Sequence, residues 1–458
     1  MFKRRKTQHK YISYCPQIEN AARTREGILY FRIRPSPTPI AKAVSCGNNA
    51  RQVRRRCVGG TSRLAGGGVA LVCSRTSYAC GVSTLTSDDP DADEFARAIA
   101  DEAAAIDAGF ALVFFSQSLL DAHLLAAALR LHAPSLAHAG CSTAGEITPD
   151  GLTTSRALAI LFPQRSFTVA SAVVRELSSS GIDYVAAEVE QLRRTLYGLT
   201  GARSGNVFAL CLIDGLSYAE EAVTSALHWG LDDIPLIGGS AGDDLKFETT
   251  TLIHDGQVDS DCAIVILVAT DVPFHVFKTE NFVPTGDKLV VTASDPERRI
   301  VHEFNACVAA EEFAAAVGIE HHAMTPQSFA SHPVVVKVGG EYYCRSIQKM
   351  NGDGSLSFYC AIDDGVVLSI AKPTGMVEST RDALMNVRER LGGIDMILGF
   401  DCVLRRLDAR NRQVFRDISE LYRANRVIGF GTYGEQYRSM HLNQTFTGIA
   451  FGQREAAE

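Results

Sequence analysis

The sequence predicts an α/β protein of mixed α+β layers, built from a repeated strand-helix-strand-strand unit, with an antiparallel β meander in its second domain. A glycine-rich corner closed by an acid occurs three times, as Ser142-Thr-Ala-Gly-Glu146, Gly239-Ser-Ala-Gly-Asp243 and Gly431-Thr-Tyr-Gly-Glu435. Its flanks recur with it, an apolar run and an amphipathic helix pattern before the corner and another apolar run after it. Between the second and third corners, Gly339-Gly340, Asn351-Gly-Asp-Gly354 and Asp363-Asp-Gly365 separate short β-branched runs at hairpin spacing.

In chain order, Ser87 to Asp93 supplies turn residues and acids suited to a helix N-terminus, and Glu94 to Ile106 follows as an Ala-rich helix. The first unit reads as a strand from Ala111 to Ser116, a helix from Asp121 to His132, the first corner, and a strand from Ala157 to Phe162. The second repeats this with Val207 to Ile213, Ala219 to Trp229, its own corner, and Cys262 to Ala269. Pro273 and Pro284-Thr-Gly-Asp287 mark a domain boundary near 272–288. Beyond it come a β-branched strand from Lys288 to Ser294, a helix from Val308 to Val317, and the meander strands Pro333 to Val338, Glu341 to Ile347, Leu356 to Ile362 and Val366 to Ile370. A helix from Ser379 to Leu391 then leads into the third unit, with a strand from Met396 to Leu404, a helix from Val414 to Arg423, and a last strand from Phe446 to Phe451.

The composition, 46% apolar and 21% charged over 458 residues, is that of a globular protein with two or three domains, and no apolar run approaches the ~18 residues of a membrane span. Charge is unevenly placed. Residues 1–66 hold 15 Lys and Arg against 2 Asp and Glu, which leaves 30 basic and 50 acidic residues in the remainder. An acidic body argues against a nucleic-acid partner. Residues 1–81 are expected to form a basic, disordered extension, an upstream stretch read through from a misassigned start. No Met lies between Met1 and Met324, which makes Val69 or Val72 the alternative start. The twelve cysteines include no C-x-x-C pair, so reduced thiols in a cytoplasmic protein are expected.

Gly140-Cys-Ser-Thr-Ala-Gly-Glu146, Ile237-Gly-Gly-Ser-Ala-Gly-Asp-Asp244, and Gly429-Phe-Gly-Thr-Tyr-Gly-Glu-Gln436 with Met440-His-Leu-Asn-Gln-Thr445 resemble the FIST sensory module. Arg345, Asp353-Gly-Ser355 and Asp364-Gly365 resemble its C-terminal part. The resemblance implies a FIST N-terminal domain over 82–272 and a FIST C-terminal domain over 288–452. It implies an intracellular small-ligand sensor in bacterial signal transduction, passing its message to a separate histidine kinase, cyclase or chemotaxis protein. Amino acids are one ligand class it suggests. Haem, in a nitric-oxide sensor, is the alternative.

His441 is the candidate axial ligand for haem iron, its bland counterpart being a hydrogen-bonded core histidine. Thr432, Tyr433, Glu435, Gln436, Asn443 and Gln444 form a dense polar set beside glycines, suited to a small polar ligand, and Arg345 could clamp a carboxylate. The competing reading is that these side chains satisfy backbone groups at tight turns. A hydrolase remains a second alternative, since Gly238-Gly-Ser-Ala-Gly242 fits G-x-S-x-G and Cys141 lies near His138. Against it, an elbow serine must lead into a helix, and the other two corners carry Thr143 and Thr432 in place of Ser240. No enzymatic activity is expected.

Overall fold

In a computed structural model, the residues described are 73–179, 181–200 and 206–453. The basic stretch 1–66, with Cys15, Cys46 and Cys57, lies outside them. Ser74–Ser77, within the expected extension, instead forms a strand paired with Ser83–Ser87.

The mixed α/β class holds, and the three repeats become three sheets of one plan. In each, a central strand pairs in parallel with the strand entering the corner. These are Ala108–Phe115 with Ala137–Ser142, Val207–Ile213 with Leu236–Ser240, and Met396–Cys402 with Val427–Thr432. The unit's last strand, Ala157–Pro163, Cys262–Thr270 or Phe446–Phe451, flanks the central strand antiparallel on its other side. Such strands, buried on both faces, read as continuous apolar runs, which is why the sequence displays them.

The short hairpin after each corner leaves its own unit. The first hairpin (Glu146–Thr148 and Gly151–Thr153) pairs with Val427–Thr432 of the third unit. The third (Glu435–Tyr437 and Met440–Leu442) pairs with Leu236–Ser240 of the second, and the second (Leu252–His254 and Gln257–Asp259) with Ala137–Ser142 of the first. The exchange is therefore cyclic and closed.

The inner faces of the three sheets share one core, where Phe114 meets Phe430 at 4.5 Å and Phe167 meets Phe451 at 5.8 Å between ring centroids. Helices cover the outer faces. These are α1 (Ala92–Ile106) and α2 (Ala122–His132), then α3 (Ile182–Thr200) and α4 (Glu220–Leu231), and finally α7 (Met376–Leu391), α8 (Val403–Asn411) and α9 (Phe415–Ala424). Both α1 and α2 start at an aspartate, Asp91 and Asp121, whose carboxylate accepts from the first free backbone N–H groups. Helices α3 and α8 are absent from the sequence expectation. The second has little apolar content to announce it, because it buries Arg405 and Arg406.

The meander is an antiparallel sheet of its own around Leu289, Phe304, Phe313, Leu356 and Leu368, with α5 (Ala309–Val317) and α6 (Pro326–Ser331) packed on it. Its longest strand, Phe282–Asp295, is interrupted by a register shift between Pro284 and Lys288. Phe274–Thr279, just before it, is the edge strand of the third unit's sheet. The described residues all belong to a single compact unit.

Candidate functional site

The three corners meet and hydrogen-bond to one another through the backbone. Ala144 N–H donates to Gly431 O (2.8 Å) and Gly431 N–H to Gly145 O (2.6 Å). Gly242 N–H donates to Ser142 O (3.0 Å), Ser240 N–H to Gly434 O (2.8 Å) and Tyr433 N–H to Ser240 O (3.2 Å). Glycine is required by this closeness, since a Cβ on Gly242 would lie 2.9 Å from that of Ala144 and one on Gly431 2.8 Å from Ala144 O.

The closing acids lie in this hub. Glu435 is fully buried, accepts from Thr432 Oγ1 (2.5 Å) and Thr445 Oγ1 (2.6 Å), and is pushed by burial up to about 8. Glu146 repeats the arrangement with Thr143 Oγ1 (2.6 Å) and is pushed by burial up to about 7. In the second corner burial opposes ionisation of Asp243. Hydrogen bonds from the Tyr433 hydroxyl and the N–H groups of Phe247, Glu248 and Thr249 outweigh it and hold that carboxyl below its ordinary value. Thr432 and Glu435 are thus occupied with each other.

The other face of the third hairpin differs. Gln436 and His441 are a cross-strand pair, fully buried, and the Gln436 amide nitrogen donates to Ser240 Oγ (3.0 Å) and to His441 Nδ1 (3.4 Å). That leaves the proton on His441 Nε2. Burial holds this imidazole down to about 4, so it is neutral at pH 7. His441 Nε2, Gln436 Oε1 and both amide atoms of Asn443 are buried without a hydrogen-bond partner. Buried polar atoms ordinarily have partners, so four orphans on three neighbouring residues stand out.

Around this face lie groups that sequence reasoning passed over. Arg299, 6% exposed, pairs with Glu220 (2.5 Å) and Glu221 (2.9 Å) at the start of α4, and donates to Tyr359 O (2.9 Å). Its guanidinium carbon stands 4.8 Å from the Tyr218 ring centroid. In the sequence, Glu220 and Glu221 read only as helix-start acids and Arg299 as a turn residue. Arg345, half-buried on the meander, donates to His441 O (2.9 Å) and so ties that sheet to the hairpin. The Gln444 carbonyl accepts from Cys344 Sγ (3.8 Å). Tyr218, Glu220, Arg299, Tyr359 and Tyr433 line a narrow cleft of about 50 Å³. The cleft shares Tyr218, Gln348 and Phe358 with a wider outer hollow of about 560 Å³ that also holds Arg298, His302 and Lys349. Of the expected ligand residues, Tyr433 lines the cleft; Gln436, His441 and Asn443 are buried outside its lining, and the charges of Glu221 and Arg299 act on His441.

A haem does not fit these residues. The His441 ring lies over Gly434, where a Cβ would be 2.2 Å from its Cε1 and 2.8 Å from its Nε2, and the cleft of about 50 Å³ is far below the ~300–1,000 Å³ of ligand pockets. Ser240 is fully buried, and its oxygen accepts from an amide rather than facing a base. Cys141 is fully buried, which pushes its thiol well above the usual range, and the His138 Nδ1 is engaged with Leu136 O.

Residues 109–306 match the FIST N domain and residues 309–438 the FIST C domain. No protein of curated function matches the chain. Among the described residues, no helix is long and apolar enough to cross a membrane. FIST domains are associated with sensing small ligands in signal transduction, and their families are sensory rather than catalytic. With both domains present in order around the hub just described, the chain belongs to the FIST sensory family.

Proposed function

We propose that this protein senses a small polar molecule, which enters between α4, the meander sheet and the third corner and is recognised by Gln436, His441 and Asn443. The observation that supports this is the group of four buried, unpartnered polar atoms on that hairpin face. Leaving such an atom unsatisfied costs roughly 1–3 kcal/mol, so the arrangement favours a molecule that supplies the missing partners.

The cleft holds only a few water-sized groups, so a ligand the size of an amino acid enters only as its walls part. The walls belong to three bodies held by Arg299 with Glu220 and Glu221, and by Arg345 with His441 O. Parting them changes the placement of the meander relative to α4, and a separate kinase, cyclase or chemotaxis protein reads that change by contact. The nine described cysteines are all free, in keeping with work in the cytoplasm.

Thermal-shift and calorimetric titration with the twenty amino acids, for wild type and Arg299→Ala, tests the proposal. Saturable binding by wild type that weakens in the variant is expected. Saturable binding that is identical in the two proteins would place the ligand elsewhere.

A further inference from the structure

The cyclic exchange supplies an internal control for the orphaned face. In the first hairpin the positions of Gln436 and His441 are taken by the cross-strand pair Ile147 and Leu152, and in the second by Ile253 and Val258. Ile147, Leu152 and Ile253 are buried. The fold therefore accepts an apolar pair at this place and adopts one twice. Only the third hairpin sets an amide against an imidazole there, and only the third leaves those atoms without partners.

The orphans have a definite chemistry. With Gln436 donating to Nδ1, His441 presents an Nε2–H donor, and Asn443 adds an N–H₂ donor. Gln436 Oε1 and Asn443 Oδ1 are acceptors. None of the three side chains is charged; the charge of Arg299 is offset by Glu220 and Glu221 while its Nε is a further buried donor without a partner, and Arg345 donates through Nη1 to His441 O and Cys344 O. A carboxylate would leave two acceptors unsatisfied beside Glu220 and Glu221, and an ammonium would leave two donors unsatisfied. Either would bury a charge against groups half of which have the wrong polarity for it. A group with one carbonyl and an N–H₂ matches all four atoms, the carbonyl accepting from His441 and Asn443, the N–H₂ donating to Gln436 and Asn443.

We infer that the group recognised at this hairpin is a neutral carboxamide, as carried by glutamine, asparagine or nicotinamide. This inference rests on the ligand-sensing reading above and narrows it to one chemical class.

The test is calorimetric titration of the full chain with L-glutamine, L-asparagine and nicotinamide, and with L-glutamate, L-aspartate and nicotinate as charged counterparts. At least one amide is expected to bind, with its acid counterpart weaker by about 100-fold or more. The Gln436→Ile/His441→Leu variant, which installs the first hairpin's type of pair, should melt cooperatively and lose amide binding. Should that variant fail to fold, Asn443→Ala alone is expected to weaken the amide by about tenfold or more.

An acid binding as tightly as its amide, or amide binding unchanged in the variants, overturns the inference. A charged ligand that binds wild type and is lost in the variants overturns the carboxamide class while leaving the sensing site standing. Binding of nothing in the panel overturns the class too, and Arg299-dependent binding of another amino acid then still separates that failure from failure of the sensor reading.

Discussion

Replacing Glu435 by glutamine is expected to flatten a fall in stability that the wild-type protein undergoes as pH rises from about 5 to about 9. Burial raises this carboxyl from an ordinary 4.5 to about 8, so the folded protein keeps a proton that the unfolded chain releases. The sign follows from that difference. The group's contribution is complete below about 4.5, declines as pH rises, and is lost once pH passes about 8. At about 1.36 kcal/mol for each step of one in pKa, the full loss is of order 5 kcal/mol, of which roughly 4 falls between about pH 5 and pH 9. Glutamine, like the protonated acid, keeps one acceptor oxygen for one threonine hydroxyl and presents a donor to the other, and it cannot ionise. Urea unfolding of both proteins at several pH values gives the difference curve, in which contributions from other groups cancel. A difference that stays constant within about 1 kcal/mol would refute the idea that the hub excludes water from this carboxyl.

His441→Leu should act at the acid end. The folded imidazole titrates near 4 against an ordinary 6.5, so its contribution is intact above 6.5 and lost as pH falls through about 4. The variant should lose less stability than wild type between those values, as thermal melts would read. Gly434→Ala places a methyl 2.2 Å from His441 Cε1 and should cost about 1–3 kcal/mol in urea unfolding, because the buried ring must shift to admit it. Arg299→Met leaves Glu220 buried opposite no cation, and a loss of about 3–5 kcal/mol is expected, readable as a lowered melting temperature. Glu220→Gln with Arg299→Met should recover part of it, since the uncompensated charge is then gone.

The repeat is legible in the sequence because each corner needs glycine for close backbone approach and each strand is apolar on both faces, both of which are local demands. The Thr432 and Glu435 partnership is legible for the same reason, since Thr143 and Glu146 repeat it at the same spacing. The destination of each hairpin is not. Its strands are three residues long, and nothing local states which distant edge they will join. The site suffers from the same blindness. Gln436 and His441 stand out as polar, yet their pairing with α4 and the meander depends on the exchange, and Arg299 enters from a turn whose charge reads as surface. Helix α3 interleaves charged and apolar residues and eluded a reading based on apolar runs, although Val185, Val189, Leu192 and Leu196 mark its buried side.

The closed exchange also dictates an order of assembly during synthesis. The first hairpin cannot find its sheet until Val427–Thr432 has left the ribosome, and the edge at Leu236–Ser240 stays bare until the third hairpin follows. Pairings across such sequence distances form slowly, and exposed strand edges in the interval invite wrong partners. The nascent protein is therefore a committed but unlatched structure for most of its translation. Its last strands act as the latch that closes the exchange among the three sheets.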